Sequence, residues 1–315
     1  MSTEKSENHK TADLFSGEDM NLAPKTTPKT TKGSGMQAAR DRAAAVTAAQ
    51  QEVAERRLKA WADEVREAPN EALRGALFTA RNRNTARQQF RAEELAVYGN
   101  ARLIYTGEEL RQDDLDVWFQ VLHFAREADL GHPIAFSPLA MKKELDMPYG
   151  RKHTDRLKTI LTRLKANSLT IHSERLGRGV ALSLIRKFEY DDALEEDKPG
   201  KDVSWVVELE PEIVKLFGSG LYTTRIEWEQ RLQLKGNLAK WMQGFYASHS
   251  EPYDIKVETL IKSSGCKVST LGKARQMIRE ALAELIKSGF LIEGYIDNKD
   301  KVVVKRRKTS KQDPA

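Results

Sequence analysis

One order of structural parts occurs twice in this chain. A short amphipathic helix is followed by a basic helix with one apolar face and then by two β-rich segments joined through a turn, once across residues 137–185 and again across residues 257–305. Such helices must bury one stripe of side chains, and an adjacent hairpin supplies a surface for it. The order predicts two tandem winged-helix units and an α+β fold.

The first unit begins at Ser137, a residue type that favours a helix start. A second helix is predicted over about residues 151–166, because leucine and isoleucine recur there at helical spacing. The β-rich segments 169–173 and 180–185 flank a basic turn with two glycines at residues 175–179. This pattern predicts a hairpin with a basic tip, which is the wing.

The second unit repeats the pattern with different residues. A short helix is predicted over residues 257–262 and a long helix from about residue 269 to residue 287. The β-rich segments 290–295 and 301–305 flank a polar turn at residues 297–300. A basic stretch follows this second hairpin.

Composition divides the chain into regions. Residues 24–32 are low-complexity sequence that cannot bury enough apolar surface to offset its ordering entropy. Residues 36–67 have strong helix propensity but few large apolar side chains, which predicts an exposed or partner-dependent helix. We predict a disordered tail and helical segment at residues 1–69, a first winged-helix domain at 70–190, an acidic linker at 191–202, a second winged-helix domain at 203–308 and a C-terminal tail at 309–315.

The charge of the chain is placed unevenly. The formal net charge is +6, yet residues 1–69 contain eleven Lys and Arg against eleven Asp and Glu. The whole positive excess therefore lies in the part predicted to fold, where an anionic partner is expected.

Several classes of site are disfavoured by residue content. Cys266 is the single cysteine and the six histidines show no helical i, i+4 pair, so we expect no disulfide, no metal site and no cofactor. No run approaches the roughly 20 apolar residues needed to cross a membrane, and the N-terminus lacks the apolar region of a signal peptide. The sequence predicts a cytoplasmic protein with no membrane partner.

The exposed face of each long helix is suited to DNA. An α-helix fits the major groove, where every base pair shows a distinct pattern of donors and acceptors. We expect Lys273, Gln276 and Arg279 to reach base edges, and Ser269 and Thr270 to bind phosphates. The other predicted DNA-binding residues lie on the first long helix, in the first hairpin tip and after the second hairpin: Arg151, Lys152, Asp155, Lys158, Thr159, Arg175, Arg178, Lys305, Arg306 and Arg307.

Basic residues opposite an apolar stripe are also typical of ordinary solvated surface helices. The repetition of such a helix, each time with a basic hairpin behind it, favours DNA binding over that interpretation. Two recognition helices in one chain would contact major grooves about one helical turn, roughly 34 Å, apart. A monomer is therefore expected to read an asymmetric site, unlike a dimeric repressor on a palindrome.

The chain resembles a known family in several ordered blocks. The longest are LRGALFTARN at residues 73–82 and IYTGEELRQDD at residues 104–114. The shorter ones are Val117-Trp118, SERLG at 173–177, Leu216-Phe217, Tyr222-Thr223 and SHSEPY at 248–253. Over about residues 70–306 the chain resembles the TrfA plasmid replication initiators.

This resemblance implies a function beyond DNA binding. It implies an initiator on plasmid DNA in a bacterial cytoplasm that binds direct repeats (iterons) at the origin as a monomer, helps to open adjacent AT-rich DNA and takes part in copy-number control through inactive dimers. The implied partners are double-stranded iteron DNA, single-stranded origin DNA, the host replicative helicase and its loader, the host initiator DnaA, the host sliding clamp and a second copy of the chain.

Clamp binding in the family commonly uses a short Gln-Leu-Ser-Leu-Phe type motif ahead of the first domain. No such motif stands just before Pro69, and the nearest match is the pair Leu14 and Phe15 in the tail, without the leading glutamine. The pair is interpreted either as the clamp-binding residues or as an isolated apolar pair.

Two rival functions stay open at this point. A winged-helix transcription regulator binding promoter DNA would use the same contacts. A relaxase or nickase would need a histidine cluster near a nucleophilic tyrosine, which Tyr105, Tyr149, Tyr222 and Tyr246 lack. No Gly-x-x-x-x-Gly-Lys-Ser/Thr phosphate loop is present either. We predict no catalytic residues and no enzymatic activity.

Overall fold

The computed structural model describes residues 58, 61–97, 102–172, 179–190, 204–217 and 222–307, besides the helical residues 40, 42 and 44. Four predicted features lie outside the described residues: the tail with Leu14 and Phe15, the first hairpin tip with Arg175 and Arg178, the acidic linker and the C-terminal tail. The elements named below all belong to one unit of contacting residues, 49–315.

The elements before residue 191 alternate between short strands and helices. They are β1 Val65–Pro69, α1 Asn70–Leu73, β2 Phe78–Thr79, β3 Gln89–Leu95, β4 Arg102–Glu108, β5 Leu110–Arg111, α2 Gln112–Ala125, β6 Ile134–Phe136, α3 Pro138–Glu144, α4 Arg151–Lys165, β7 Ser168–His172, β8 Gly179–Leu182 and β9 Lys187–Glu189.

The elements after residue 203 also alternate between short strands and helices. They are β10 Trp205–Glu208, α5 Ile213–Phe217, β11 Thr223–Glu227, α6 Trp228–Gln233, α7 Asn237–Ala247, β12 Ile255–Lys256, α8 Val257–Ser263, α9 Leu271–Lys287, β13 Leu291–Ile296 and β14 Lys301–Arg306.

The first predicted helix–helix–hairpin unit is confirmed from α3 to β8. The Ser137 hydroxyl oxygen caps α3 by accepting hydrogen bonds from the backbone N–H groups of Leu139 and Ala140, at 3.1 and 3.3 Å. Gly150 precedes α4 with a φ of 107°, a conformation that favours glycine. The hairpin joins a four-stranded antiparallel sheet in the order β3-β4-β7-β8.

The second unit is confirmed from α8 to β14. Its long helix α9 starts at Leu271, two residues later than predicted, because the Thr270 hydroxyl accepts a hydrogen bond from the Lys273 backbone N–H and caps the helix. Gly289 follows the helix with a φ of 78°. The hairpin β13–β14 forms a three-stranded antiparallel sheet with β12. The predicted α+β fold class is therefore confirmed.

The helix predicted over residues 36–67 is wrong at its C-terminal end. Residues 65–67 belong to strand β1, which pairs antiparallel with β11 from Val65 opposite Glu227 to Pro69 opposite Thr223. Before this strand, Leu58 and Trp61 are buried, so this part is not an exposed helix. Helix propensity is a weak preference, and pairing with a strand more than 150 residues away overrides it here.

Buried apolar side chains form two clusters. The larger one, which we call the first core, spans Leu58 to Trp228, and the smaller second core contains Ala80 and residues from Leu234 to Val302. Strand β10, the predicted start of the second domain, pairs with β6 and β9 and contributes buried side chains to the first core. The predicted domain limits, which concern independently folding units, stay a prediction.

Candidate nucleic-acid interface

The outer face of α4 carries most of the first set of predicted DNA-binding residues. Arg151, Lys152, Asp155 and Thr159 are all exposed on it. The Thr159 hydroxyl donates a hydrogen bond of 2.8 Å to the Asp155 carbonyl one turn earlier. Two cationic side chains thus stand at the first turn of the helix, where a groove-bound helix commonly meets DNA.

Lys158 lies at the margin of this face and differs from its neighbours. Its side chain is half-buried, and Nζ stands 3.7 Å from the centre of the Tyr190 ring, which follows β9. A cation–π contact of this kind holds the ammonium group at the edge of the helix. The Tyr190 ring therefore restricts the position of the Lys158 side chain, a contact that the sequence did not predict.

Buried ionic contacts fix α4 against the first core. The guanidinium of Arg163, in the last turn of α4, lies 2.5 Å from a carboxylate oxygen of Asp114 in the first turn of α2. The other Asp114 oxygen lies 2.6 Å from the Arg87 guanidinium. Burial, with a further contribution from the neighbouring Asp113 carboxylate, raises the pKa of Asp114 to about 6. Neither Arg163 nor Asp114 was identified from the sequence, where each is one charged residue among many.

The outer face of α9 carries a connected row of polar groups. The Lys273 ammonium donates to the Gln276 side-chain oxygen at 3.2 Å, and the Gln276 amide donates to the Glu280 carboxylate at 2.9 Å. Arg279 is exposed beside this row, and in the described part of the chain its guanidinium has no hydrogen-bond or ion-pair partner. Ser269 and Thr270 are exposed just before the helix.

The hairpin that follows α9 is tied to it. Arg275 lies 2.7 Å from the Asp300 carboxylate at the β13–β14 turn. Of the basic residues at the end of β14, Lys305 and Arg307 are exposed. Arg306 is not, because its guanidinium donates to the backbone carbonyls of Tyr246 and Ala247 at 2.8 and 3.0 Å, and burial lowers its pKa.

One guanidinium nitrogen of Arg306 is thus used at the C-terminus of α7, where the last backbone carbonyls have no helical partner. This contact stabilises the second core. Lys305, Arg306 and Arg307 all stay predicted DNA contacts.

Two clefts border the two long helices. One, of about 460 Å³, borders α9 at Lys273, and the other, of about 200 Å³, borders α4 at Arg156. Three residues, Arg83, Lys235 and Asn237, line both clefts. Two polar stretches of chain, one at residue 83 and one at residues 235–237, thus connect the surroundings of the two candidate recognition helices.

A buried ionic triad connects the two cores, and two of its members, Asp116 and Lys240, also line the cleft beside α4. Arg231 of α6 is fully buried and lies 2.8 Å from one carboxylate oxygen of Asp116 on α2, while Lys240 of α7 lies 2.5 Å from the other. Arg231 also donates to the Gln112 side-chain oxygen at 2.8 Å and to the Lys240 carbonyl at 2.5 Å. These contacts fix α7, which belongs to the second core, against α2, which belongs to the first.

The comparisons with known proteins agree with the resemblance stated above. The sequence model of the TrfA protein family matches residues 33–306. The chain belongs to the TrfA family. A relative from Escherichia coli, the plasmid replication initiator protein TrfA, is 33% identical over 249 residues, which is 78% of this chain and 63% of that relative. The chain thus matches less than two thirds of the length of this TrfA relative.

Solved structures of other proteins superpose on this TrfA family member. Domains 2 and 3 of RctB superpose with a TM-score of 0.52 at 11% identity, over 75% of this chain and 96% of theirs. The Pi initiator protein, solved in complex with iteron DNA, superposes with a TM-score of 0.44 at 13% identity, over 66% and 98% of the two chains. The first of these supports the arrangement of helices and sheets, and nothing more specific.

Two further findings bear on the kind of site. In the ranges that the structure describes, no cluster of three or more His, Cys, Asp and Glu side chains has an arrangement that would hold a metal ion. Within the same ranges, no helix has the length and apolar character needed to span a membrane.

Proposed function

We propose that this TrfA family member is a plasmid replication initiator that binds direct repeats at its origin through α4 and α9. The observation that carries the proposal is the pair of outer helix faces, each rich in exposed polar and basic groups and each anchored from behind by buried contacts. The name of the E. coli relative supplies the initiator function.

The geometry favours contacts with two successive grooves. Each helix would enter a major groove, and adjacent major grooves on one face of DNA are roughly 34 Å apart. The Arg231–Asp116–Lys240 triad would keep the spacing of the two helices constant, which reduces the ordering cost of binding both at once. The proposed contacts are Arg151, Lys152, Asp155, Lys158, Thr159, Arg175, Arg178, Ser269, Thr270, Lys273, Gln276, Arg279, Lys305, Arg306 and Arg307.

The later steps of initiation complete the proposal. Bound monomers would help to open the AT-rich DNA beside the repeats and bind single-stranded origin DNA. The host helicase with its loader, DnaA and the sliding clamp are the proposed protein partners, and dimers of the chain would limit copy number. No catalytic step by the chain itself is proposed.

Footprinting of the purified protein on its own plasmid origin tests the proposal. We expect protection of several direct repeats near an AT-rich tract, with protected major grooves about one turn apart on one face. Protection of a single palindrome over a promoter would instead identify a transcription regulator. Protection without sequence preference would contradict both functions.

Arg279 provides a test of base readout by α9. Arg279→Ala is expected to weaken binding to the repeat by about 1–3 kcal/mol if its guanidinium pairs with a base edge. Affinity should be measured on the repeat and on a random duplex of equal length. Lys287→Ala, an exposed substitution in the last turn of the same helix, is the matched control and should change affinity far less. An equal loss on both duplexes would reassign Arg279 to a phosphate contact.

Leu14 and Phe15 provide a test of clamp binding. Replacing both with alanine should lower capture of the host sliding clamp at least about tenfold. Each substitution removes an apolar side chain that would fill a pocket on the clamp. Binding to the repeat should stay unchanged, and Leu22→Ala in the same tail serves as the control. Undiminished capture by the double variant would place the clamp contact elsewhere.

A further inference from the structure

The loop between β2 and β3, residues 80–88, lies where the two clefts meet. Its residue Arg83 lines the cleft beside α9 and the cleft beside α4, as do Lys235 and Asn237 from the chain that leads into α7. The Asn237 amide donates to the Arg81 carbonyl at 2.6 Å, which joins the loop to the start of α7. Arg83 and Lys235 therefore lie near each other, at the boundary between the cleft beside α9 and the cleft beside α4.

Buried charges hold this exposed loop in one conformation. The guanidinium of Arg111 is almost fully buried and donates to the backbone carbonyls of Asn82 and Ala86, at 2.8 and 3.1 Å. It also lies 2.9 Å from the Glu109 carboxylate, which is fully buried. Burying such an ion pair carries a large desolvation cost, so the pair need not increase the stability of the fold. Here its donors fix the backbone of a surface loop.

Local hydrogen bonds complete the loop. The Asn82 side-chain oxygen accepts from the Asn84 backbone N–H at 2.9 Å, and the Thr85 hydroxyl donates to the Asn82 carbonyl at 2.7 Å. These bonds form a tight Asx-type turn around Arg83. The turn places Arg83 at the exposed tip of a preorganised loop.

Four of the five acidic side chains that line the clefts are engaged by other donors. Asp113 lies 3.1 Å from Arg156 and 3.3 Å from Arg87. The Glu284 carboxylate accepts from the backbone N–H groups of Lys235 and Gly236, at 2.8 and 3.0 Å. Asp116 belongs to the buried triad and Glu280 to the α9 row described above, and Asp146 is exposed at the cleft beside α4.

The two cationic side chains at the junction differ from the four engaged acids. Both Arg83 and Lys235 are exposed, and within the described ranges neither the guanidinium nor the ammonium group has a hydrogen-bond or ion-pair partner. A fixed loop that presents a planar guanidinium beside an ammonium group suits an anion with several oxygen atoms. The DNA strand that runs between two adjacent major grooves presents such anions in series.

We infer that Arg83 and Lys235 bind phosphates of the DNA backbone between the two major grooves entered by α4 and α9. This contact rests on the proposed binding of one duplex by both helices. It carries no sequence information, and it fixes the register of the two helices on the duplex. The loop at residues 80–88 is then a third DNA-binding element beside the helices and the wings.

The salt dependence of binding tests the inference. Each lost phosphate contact should reduce the slope of log K against log salt by about 0.9, so Arg83→Gln and Lys235→Gln together should reduce it by about 1.8. In 0.1 M salt, each single variant should weaken binding roughly three- to tenfold, equally on the repeat and on a random duplex. Arg91→Gln, an exposed arginine on the edge strand β3 that lines neither cleft, is the matched control.

A modified duplex locates the contact. Methylphosphonates placed between the two footprinted grooves should weaken binding of the parent protein and should have little further effect on the double variant. Thermal unfolding should be unchanged by Arg83→Gln, because its side chain has no partner in the described fold. If the parent protein binds the repeat and both variants show the same salt slope as the parent, the inference is wrong and the proposed function still stands. If the parent protein binds DNA without preference for the repeat, but the variants show a smaller salt slope, the phosphate contact is supported and the initiator function is contradicted.

Discussion

Arg231→Met is expected to lower the free energy of unfolding by about 3–5 kcal/mol. The substitution removes the fully buried guanidinium that lies 2.8 Å from the Asp116 carboxylate. Asp116 would keep only Lys240 as its cationic partner, and the Gln112 side-chain oxygen would lose a donor. A buried carboxylate that loses one of its two cationic partners and buried acceptors that lose their donor, the Gln112 side-chain oxygen and the Lys240 carbonyl, all destabilise the folded state.

Urea denaturation of the full chain measures this effect. Arg102→Met is a matched control, because Arg102 also lies 2.8 Å from a carboxylate, that of Glu94, but both of these side chains are more than half exposed. Exposed pairs contribute between about 0 and 1 kcal/mol, so the control should change stability little. Equal effects of the two substitutions would contradict the role of burial.

A second variant separates charge from packing. Asp116→Leu added to Arg231→Met should recover part of the lost stability, because it removes a carboxylate that has lost its fully buried partner, whereas the partly exposed Lys240 can turn its ammonium group to solvent. If the double variant is less stable than Arg231→Met alone, the loss comes from packing around α2 and α7 and the charge argument is wrong.

The second large effect is a loss of stability between about pH 6.5 and pH 4 caused by His123. Its Nδ1 accepts a hydrogen bond of 2.9 Å from the Trp61 indole N–H, so the ring is neutral in the folded protein. Burial lowers the pKa of His123 to about 4, and the Arg66 and Arg126 guanidinium groups contribute in the same direction.

The sign of this effect follows from linkage. Above about pH 6.5 the ring is neutral in both the folded and the unfolded chain, and its full contribution is present. As the pH falls towards 4, the unfolded chain binds a proton that the folded chain does not, so the free energy of unfolding decreases, by up to about 3 kcal/mol. Below that pH the folded chain is protonated as well and the decrease ends.

Unfolding curves of the parent and of His123→Gln between pH 7 and pH 4 measure this contribution as a difference. The amide oxygen of glutamine can accept from Trp61 without titrating, so the variant should show a shallower decline. His132→Gln, at an exposed histidine, controls for the substitution itself. Parallel curves for the parent and His123→Gln would show that another group causes the decline.

Sequence patterns predicted the parts of this fold that depend on local spacing. The helices α4 and α9, the cap at Ser137, the helix end at Gly289 and the hairpins follow from periodicity and turn chemistry. The same patterns predicted which faces of α4 and α9 are exposed, because a buried stripe leaves the opposite side of a helix in solvent.

The predictions failed or were incomplete where a distant partner decides the outcome. Residues 65–67 have good helix formers but become a strand, since β11 offers backbone partners that a local pattern cannot reveal. Arg306 stands in a basic stretch with Arg307, yet one guanidinium caps α7 and the other is exposed. Adjacent residues of one type thus take different roles according to what packs on them.

Local periodicity in the chain was therefore sufficient to predict the two helix–hairpin units and the exposed faces of the candidate recognition helices. Only the tertiary structure decided that Arg231 joins the two cores, that Arg163 anchors α4 and that Arg83 lines the clefts beside both recognition helices. The physical reason is that amphipathic patterns record burial of apolar side chains, whereas an arginine has the same place in such a pattern whether it is solvated or buried. Its role is set by charges and carbonyl groups that lie far away in the sequence and near in space.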